Sequence, residues 1–194
     1  LKVVGSNPTP ATKMQKKDQK KFTIIIPSKI FDDNLENCIK SIRKYYKLIK
    51  IILVLDKKKK IDKNKNIKVV TTGSKTIGYK RNLAAKLTNS KFITFIDSDA
   101  FPKHKWLDSV LKSFKKFEDI KIIGGPNLSP SSKEIEKQLV ARVRNLPFVT
   151  FDTFIKKRGI IEKTVNFLPA CNFTINRETY LKIGGMVDDI YSGE

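Results

Sequence analysis

Short apolar runs alternate with amphipathic stretches along most of the chain. Residues 22–26 form an apolar-rich run that Pro27 ends, and this pattern predicts a buried strand. Apolar residues then recur at helical spacing at 35, 38, 39, 42, 45 and 46. The polar residues at 32–34 are candidates for the N-cap of this helix. The first third of the chain therefore begins with a strand followed by a helix.

The same alternation continues to about residue 124. Further strands are predicted at 51–55, 67–70, 92–96 and 120–124, and further helices at 78–87, 106–117 and 133–146. Residues 1–20 show no periodicity and are interpreted as a mobile leader, with Met14 as a candidate native start, while 148–168 receive no assignment. Strands that alternate with helices predict an α/β fold, in which helices flank a mostly parallel central sheet.

Composition narrows the class of protein. The 194 residues are enough for one domain, and a hydrophobic content of 40% excludes global disorder. The longest apolar run, at 51–55, is far shorter than the roughly 20 residues that cross a bilayer, and the start of the chain lacks a secretory signal. Cys38 and Cys171 are distant in sequence and form no CxxC, so we expect two reduced, mostly buried thiols in a cytoplasmic protein.

The formal net charge of +21 has two interpretations. Most of the excess is lysine rather than arginine, which fits lysines on solvated faces of the protein. Alternatively, the charge forms a functional surface for an anionic partner, more naturally a membrane than a nucleic acid. No specific nucleic-acid partner is expected.

Candidate chemistry lies where the predicted strands end. In parallel sheets, ligands bind at the carboxyl ends of the strands. Three strands here are followed by polar or turn-forming residues, namely Pro27-Ser28, Asp56 and Asp97-Ser98-Asp99. The topology therefore predicts a ligand site at this edge of the sheet.

Asp97 and Asp99 are the most informative pair in this set. Two carboxylates after a buried strand offer the oxygen ligands that Mg²⁺ or Mn²⁺ selects, and such an ion keeps other positions for water and substrate phosphates. The alternative is that these aspartates only cap the turn that follows. The apolar strand before them and the polar ends of the other strands favour the metal interpretation.

In chain order, the motifs resemble those of the family 2 glycosyltransferases, which have the GT-A fold. The resemblance extends from about residue 22 to the last residue. The segments that carry it are FTIIIPS (22–28), IILVLD (51–56), GYKRN (78–82), FITFIDSD (92–99) and LPACNFTINRETYLKIGG (168–185). It implies one GT-A domain over 21–194, with a nucleotide-binding part at about 21–102 and the start of an acceptor-side part at about 103–194.

The resemblance also implies roles for the first three of these segments. Pro27 and Ser28 line the nucleotide pocket, and Asp56 contacts the base. Arg81 braces the nucleotide region. From the chemistry of the reaction alone, Arg81 and Lys80 are expected to add positive charge near the leaving diphosphate, and the alternative is that they lie on a helix terminus facing solvent.

For the segment 92–99, which ends in Asp97-Ser98-Asp99, the resemblance places Asp97 toward the ribose and base, with Ser98 beside it. It places Asp99 on a divalent metal, Mn²⁺ or Mg²⁺. The ion would stabilise the charge that develops on the leaving diphosphate.

A catalytic carboxylate is expected near the end of the sequence. Family members carry Gly-Glu-Asp or a close variant there, whereas this chain ends in Ser-Gly-Glu, so we expect a fragment of a longer protein. Glu194 is the candidate general base, and Asp188 and Asp189 are second candidates with a structural role first.

The implied reaction moves a sugar from a nucleotide-diphospho-sugar to the hydroxyl of a glycan, lipid-linked or other acceptor, with inversion at the anomeric carbon. The expected setting is cell-envelope polysaccharide synthesis, in the cytoplasm or at the inner face of the membrane. Two other functions stay open. One is a basic α/β module that binds anionic lipid or nucleic acid without catalysis, and the other is a phosphatase of the haloacid dehalogenase type.

Overall fold

The computed structural model describes residues 2–4, 14–60, 66–125, 127–129, 133–144, 146, 162–164 and 168–190 of the chain. The strands of this part are β1 (Lys2–Val4), β2 (Phe22–Pro27), β3 (Lys50–Leu55), β4 (Ile67–Thr71), β5 (Phe92–Ile96), β6 (Ile122–Gly124), β7 (Glu162–Thr164) and β8 (Asn172–Asn176). The helices are α1 (Lys16–Gln19), α2 (Asp33–Tyr45), α3 (Ile77–Lys86), α4 (Trp106–Lys116), α5 (Ile135–Arg144) and α6 (Arg177–Lys182).

Six of these strands form one sheet in the order β4-β3-β2-β5-β8-β6. The pairs β4–β3, β3–β2 and β2–β5 are parallel, whereas β8 runs antiparallel to both β5 and β6. Strands β1 and β7 form a separate antiparallel pair. The predicted α/β fold with a mostly parallel sheet is confirmed.

The central strands are mostly apolar because helices cover both faces of the sheet, and the polar exceptions Thr23 and Thr94 are buried. Every residue of β2 and β5 is buried, and alternate residues face opposite sides. Ile24 and Ile26 pack with α2 and α4 in one core cluster, while Ile25 packs with α3 and β8 in another. This three-layer arrangement fixes the carboxyl ends of β2, β3 and β5 side by side.

The helix boundaries follow local capping. Helix α2 begins after Asp32, whose carboxylate accepts a hydrogen bond from Leu35 N at 2.9 Å. Helix α3 begins after Thr76, whose hydroxyl accepts from Tyr79 N. In the described part of the chain, no helix is both long and apolar enough to cross a membrane.

Strand β8 and helix α6 were not predicted from the hydrophobic pattern. The strand contributes only two large apolar side chains to the core, so its periodic signal is weak. Its position depends on tertiary contacts with β5. The Thr94 and Thr174 hydroxyls lie 2.8 Å apart, and the rings of Phe95 and Phe173 pack with centroids 5.0 Å apart.

The prediction of a mobile leader over 1–20 is wrong for residues 14–20. Met14 is buried in the core cluster beneath α2 and α4, and Asp18 and Gln19 of α1 are also buried. The Gln19 side chain accepts a hydrogen bond from Leu48 N at 3.1 Å, and Asp18 pairs with Lys21 at 2.6 Å. The core contacts of Met14 and the hydrogen bond between Gln19 and Leu48 join residues that are distant in sequence, and they create order that the local pattern does not encode.

Tyr46 and Asp108 form a buried polar pair that gives a stability prediction. The Tyr46 hydroxyl donates to Asp108 Oδ2 at 2.8 Å and accepts from Leu107 N at 2.9 Å. Burial, reinforced by the Asp108 carboxylate, raises the pKa of Tyr46, so the phenol stays protonated. Tyr46→Phe leaves both partners without this hydroxyl, and we expect the free energy of unfolding to fall by about 1–3 kcal/mol in urea denaturation.

Tyr45→Phe is the matched control for this variant. The Tyr45 hydroxyl makes no hydrogen bond with any residue that the structure describes, so its removal should change the free energy of unfolding by less than about 0.5 kcal/mol. Equal effects of the two variants would contradict the assigned role of Tyr46.

Candidate functional site

The ends of β2, β3 and β5 meet at one edge of the sheet, as predicted. Ser28 follows β2, Asp56 follows β3 and Asp97 follows β5, and these strands are direct neighbours in the order β3-β2-β5. Backbone hydrogen bonds continue beyond the strands, with Ser28 N donating to Val54 O at 2.9 Å and Asp56 N to Lys29 O at 3.1 Å. The polar residues are therefore held by an extension of the sheet.

Lys80 joins two of these strand ends from the first turn of α3. Its side chain is only 2% exposed, and Nζ lies 2.5 Å from Asp56 Oδ1 and donates to Ser28 O at 2.9 Å. Pro27, the residue before Ser28, is buried and is paired with Val54 of β3. A buried ammonium needs such partners because loss of hydration is costly. The pairing fixes Asp56 and Ser28 relative to each other.

Arg81 braces the third strand end. Its side chain is also 2% exposed, and Nη2 donates to Asp97 Oδ1 at 2.9 Å. The guanidinium carbon lies 5.9 Å from the centroid of the Phe95 ring, and Nη1 lies 3.9 Å from Met186 Sδ. The resemblance implied a bracing role for Arg81, and in the structure its guanidinium pairs with the Asp97 carboxylate.

Asp97, Ser98 and Asp99 begin a turn in which Ala100 N donates to Asp97 O at 3.1 Å. The Asp97 side chain is 40% exposed despite its pairing, Ser98 is half-buried, and Asp99 is exposed. The Asp99 carboxylate makes no hydrogen bond or ion pair with another residue of the described ranges. Its oxygens therefore remain available to a ligand from solution.

The metal prediction can be compared with these donors. The described residues contain no cluster of three or more His, Cys, Asp or Glu side chains arranged to hold an ion. However, Mg²⁺ and Mn²⁺ are commonly held by one or two carboxylates together with water and substrate phosphates. The exposed Asp99, next to Asp97 held by Arg81, fits an ion of this kind. Water and a substrate phosphate would fill the remaining coordination positions.

The two cysteines lie near this strand end, which sequence analysis did not predict. Cys38 Sγ is 3.7 Å from Asp97 O. Burial, with smaller effects of Asp99 and Asp97, raises the pKa of the Cys38 thiol to about 12. Burial and the Asp97 charge raise the pKa of Cys171 to about 11. Cys38 is buried as expected, whereas Cys171 is half-buried, and both are free thiols.

These pKa values predict slow alkylation. At pH 8, thiols with such pKa values are ionised to the extent of about one in a thousand or less, and the thiolate is the reactive form. We expect iodoacetamide to label neither Cys38 nor Cys171 in the native protein during a reaction that labels both in urea, as measured by mass spectrometry. Fast labelling of native Cys171 would contradict the assigned environment.

The predicted acceptor-side carboxylates are only partly described. Asp188 and Asp189 are exposed, and the Asp188 carbonyl accepts a hydrogen bond from the hydroxyl of Thr76, the N-cap of α3. Glu194, the candidate base, lies outside the described residues. The structure therefore brings Ser28, Asp56 and Asp97 together and leaves the position of Glu194 open.

A six-stranded, mostly parallel sheet flanked by helices is the fold of the GT-A type glycosyltransferases. The sequence model of glycosyl transferase family 2 matches residues 23–184, which is most of the chain. The chain belongs to this family. The comparison with curated proteins gave no match.

Solved structures show the same fold at low sequence identity. The mannosyltransferase PcManGT from Pyrobaculum calidifontis, in complex with GDP-Man and Mn²⁺, is 14% identical with a TM-score of 0.59, and the match covers 95% of this chain and 52% of that one. TarS 1-349 from S. aureus is 16% identical with a TM-score of 0.58, over 89% of this chain and 52% of that one.

A mycobacterial protein is 13% identical with a TM-score of 0.54, over 89% of this chain and 59% of that one. The chain thus spans between 52% and 59% of the length of these three structures.

Proposed function

We propose that this chain carries the donor site of a glycosyltransferase that moves a sugar from a nucleotide-diphospho-sugar to an acceptor hydroxyl, assisted by a divalent metal and with inversion at the anomeric carbon. Membership of glycosyl transferase family 2 supports the reaction class. The observation that carries the donor site is the pair Asp97 and Asp99, with Asp97 held by the buried Arg81 and Asp99 left exposed.

The nucleotide is proposed to lie against the edge formed by Pro27, Ser28 and Asp56. Lys80 holds the Asp56 carboxylate and the Ser28 carbonyl in place, so these acceptors are fixed before a ligand arrives. Fixed polar groups reduce the entropy lost on binding. Because the Lys80 charge is already balanced by Asp56, its proposed role is to orient Asp56 rather than to contact a phosphate directly.

The diphosphate is proposed to lie near Asp97, Ser98 and Asp99. Arg81 holds Asp97 in a fixed orientation through the 2.9 Å contact. A Mn²⁺ or Mg²⁺ ion held by Asp99 would act as a Lewis acid toward the leaving diphosphate. The solved complex of PcManGT with GDP-Man and Mn²⁺, which shares this fold, supports a donor of this class together with a metal.

Glu194 is the proposed general base, with Asp188 and Asp189 as the second candidates. A carboxylate that takes the acceptor proton on the face opposite the leaving diphosphate gives inversion. The proposed acceptor is the hydroxyl of a glycan or a lipid-linked sugar, in the synthesis of cell-envelope polysaccharide. The charge of +21 would favour contact with the anionic inner face of a membrane from the cytoplasm.

Titration calorimetry with UDP, GDP, ADP and CDP, each with and without Mn²⁺, tests the donor site. We expect saturable binding of one nucleotide that requires Mn²⁺ and persists at 0.3 M salt. Binding without a metal that disappears with salt would instead assign the interaction to the lysine excess, as for a basic binding module. This outcome, or no binding of any nucleotide, would overturn the proposed donor site.

A further inference from the structure

The side-chain amide of Asn82 pairs with the backbone of Met186, more than one hundred residues away in the sequence. Asn82 Nδ2 donates to Met186 O at 2.8 Å, and Asn82 Oδ1 accepts from Met186 N at 2.9 Å. The same oxygen accepts from the Tyr180 hydroxyl at 2.6 Å. Asn82 thus offers Met186 the donor and the acceptor that a neighbouring strand would offer.

Gly185 allows this close approach. A Cβ at this position would lie 2.3 Å from Asn82 Oδ1, and the residue has a φ of +85°, which only glycine adopts without cost. The contact therefore depends on a glycine at 185 as well as on the amide at 82.

The segment continues along α3 toward the start of the helix. A Cβ at Gly78 would lie 2.3 Å from Val187 O, so the backbone of the segment packs directly on the first turn. The next residue, Asp188, accepts a hydrogen bond from Thr76, the N-cap. Residues 185–188, here called the docked segment, therefore run antiparallel to α3, from its middle to its N-terminal end.

That end of α3 belongs to the candidate donor site. Lys80 and Arg81, in the first two turns, hold Asp56 and Asp97. Arg81 also contacts the docked segment, because its Nη1 lies 3.9 Å from Met186 Sδ. One helix thus carries the braces of the donor edge and, at the adjacent Asn82, the attachment point of the docked segment.

We infer that Asn82 is a positioning residue that fixes the docked segment on α3, with Asp188 at its end held by Thr76, the N-cap of the helix. This inference rests on the proposed function, in which Asp188 and Asp189 are the second candidates for the acceptor-side base. Asn82 contacts neither the strand-end carboxylates nor Lys80 through any hydrogen bond of the described structure, so its effect on the site passes through the docked segment.

Amide hydrogen exchange measures this attachment directly. In Asn82→Ala, we expect the peptide that contains Met186 to exchange at least about tenfold faster, because the protecting acceptor is lost. Tyr180→Phe keeps both bonds to Met186 and should give a smaller increase. Gly185→Ala disturbs the same contact from the other side and should accelerate the same peptide. If Asn82→Ala fails to fold, the exchange measured in Gly185→Ala decides the matter.

Calorimetry with GDP and UDP in the presence of Mn²⁺ separates positioning from a general structural role. If Asn82 acts on the docked segment, the nucleotide Kd of Asn82→Ala stays within about twofold of the wild-type value, because Arg81 still holds Asp97. Unchanged exchange at Met186 would overturn the inference, as would equal acceleration throughout α3 and β5. If the wild-type protein binds none of UDP, GDP, ADP and CDP, the proposed donor site fails, but the exchange result still decides whether Asn82 holds the docked segment.

Discussion

Asp99→Asn is expected to remove the metal-dependent part of nucleotide binding. The substitution keeps the shape of the side chain and removes the charge of the one carboxylate that we propose as the metal ligand. Because Asp99 is exposed and makes no hydrogen bond or ion pair within the described ranges, we expect the free energy of unfolding to change by less than about 0.5 kcal/mol. The nucleotide Kd measured with Mn²⁺ should rise by about 100-fold or more.

Asp119→Asn is the matched control, because it removes the same charge from an exposed turn between α4 and β6. Calorimetry on both variants, with and without Mn²⁺, distinguishes the loss of a metal ligand from a general effect of removing one negative charge. An equal Kd for the two variants would show that Asp99 does not hold the ion. A similar increase in Kd without metal would show that Asp99 contacts the nucleotide itself.

The fold was predictable where the sheet is buried on both faces. Strands β2, β3 and β5 lie under helices on both sides, so burial favours a nearly continuous apolar run, and such a run is visible in the sequence. Strand β8 is different, because its ends are polar and its place is set by pairing with β5 and β6. The order of residues 14–20 likewise depends on packing against distant elements.

The sequence predicted which polar residues meet at this edge of the sheet, but it did not predict which of them form ion pairs with each other. Lys80 and Arg81 were expected near the strand ends. Only the path of α3 determines that Lys80 pairs with Asp56 and that Arg81 pairs with Asp97. The attachment of Met186 to Asn82 has no local signal, since the two residues are separated by more than one hundred positions.

Asp56→Leu is expected to be among the most destabilising single substitutions at the site. Lys80 is 2% exposed, so loss of its carboxylate leaves a buried ammonium with the Ser28 carbonyl as its remaining hydrogen-bond partner in the described structure. Removing one partner of a buried ion pair typically costs about 3–5 kcal/mol. Lys80→Met should cost less, about 1–3 kcal/mol, because the Asp56 side chain is 20% exposed and can still be hydrated.

The double variant Asp56→Leu/Lys80→Met separates stability from ligand binding. With both charges absent, no buried ion lacks a partner, and apolar groups of similar size often replace such a pair without loss of stability. Urea denaturation should therefore show the double variant to be more stable than Asp56→Leu, with a coupling energy of about 2 kcal/mol or more. Additive losses would contradict the assigned pair. If the double variant also binds nucleotide with the wild-type Kd, then Asp56 has only a structural role, and the nucleobase is bound elsewhere along this edge of the sheet.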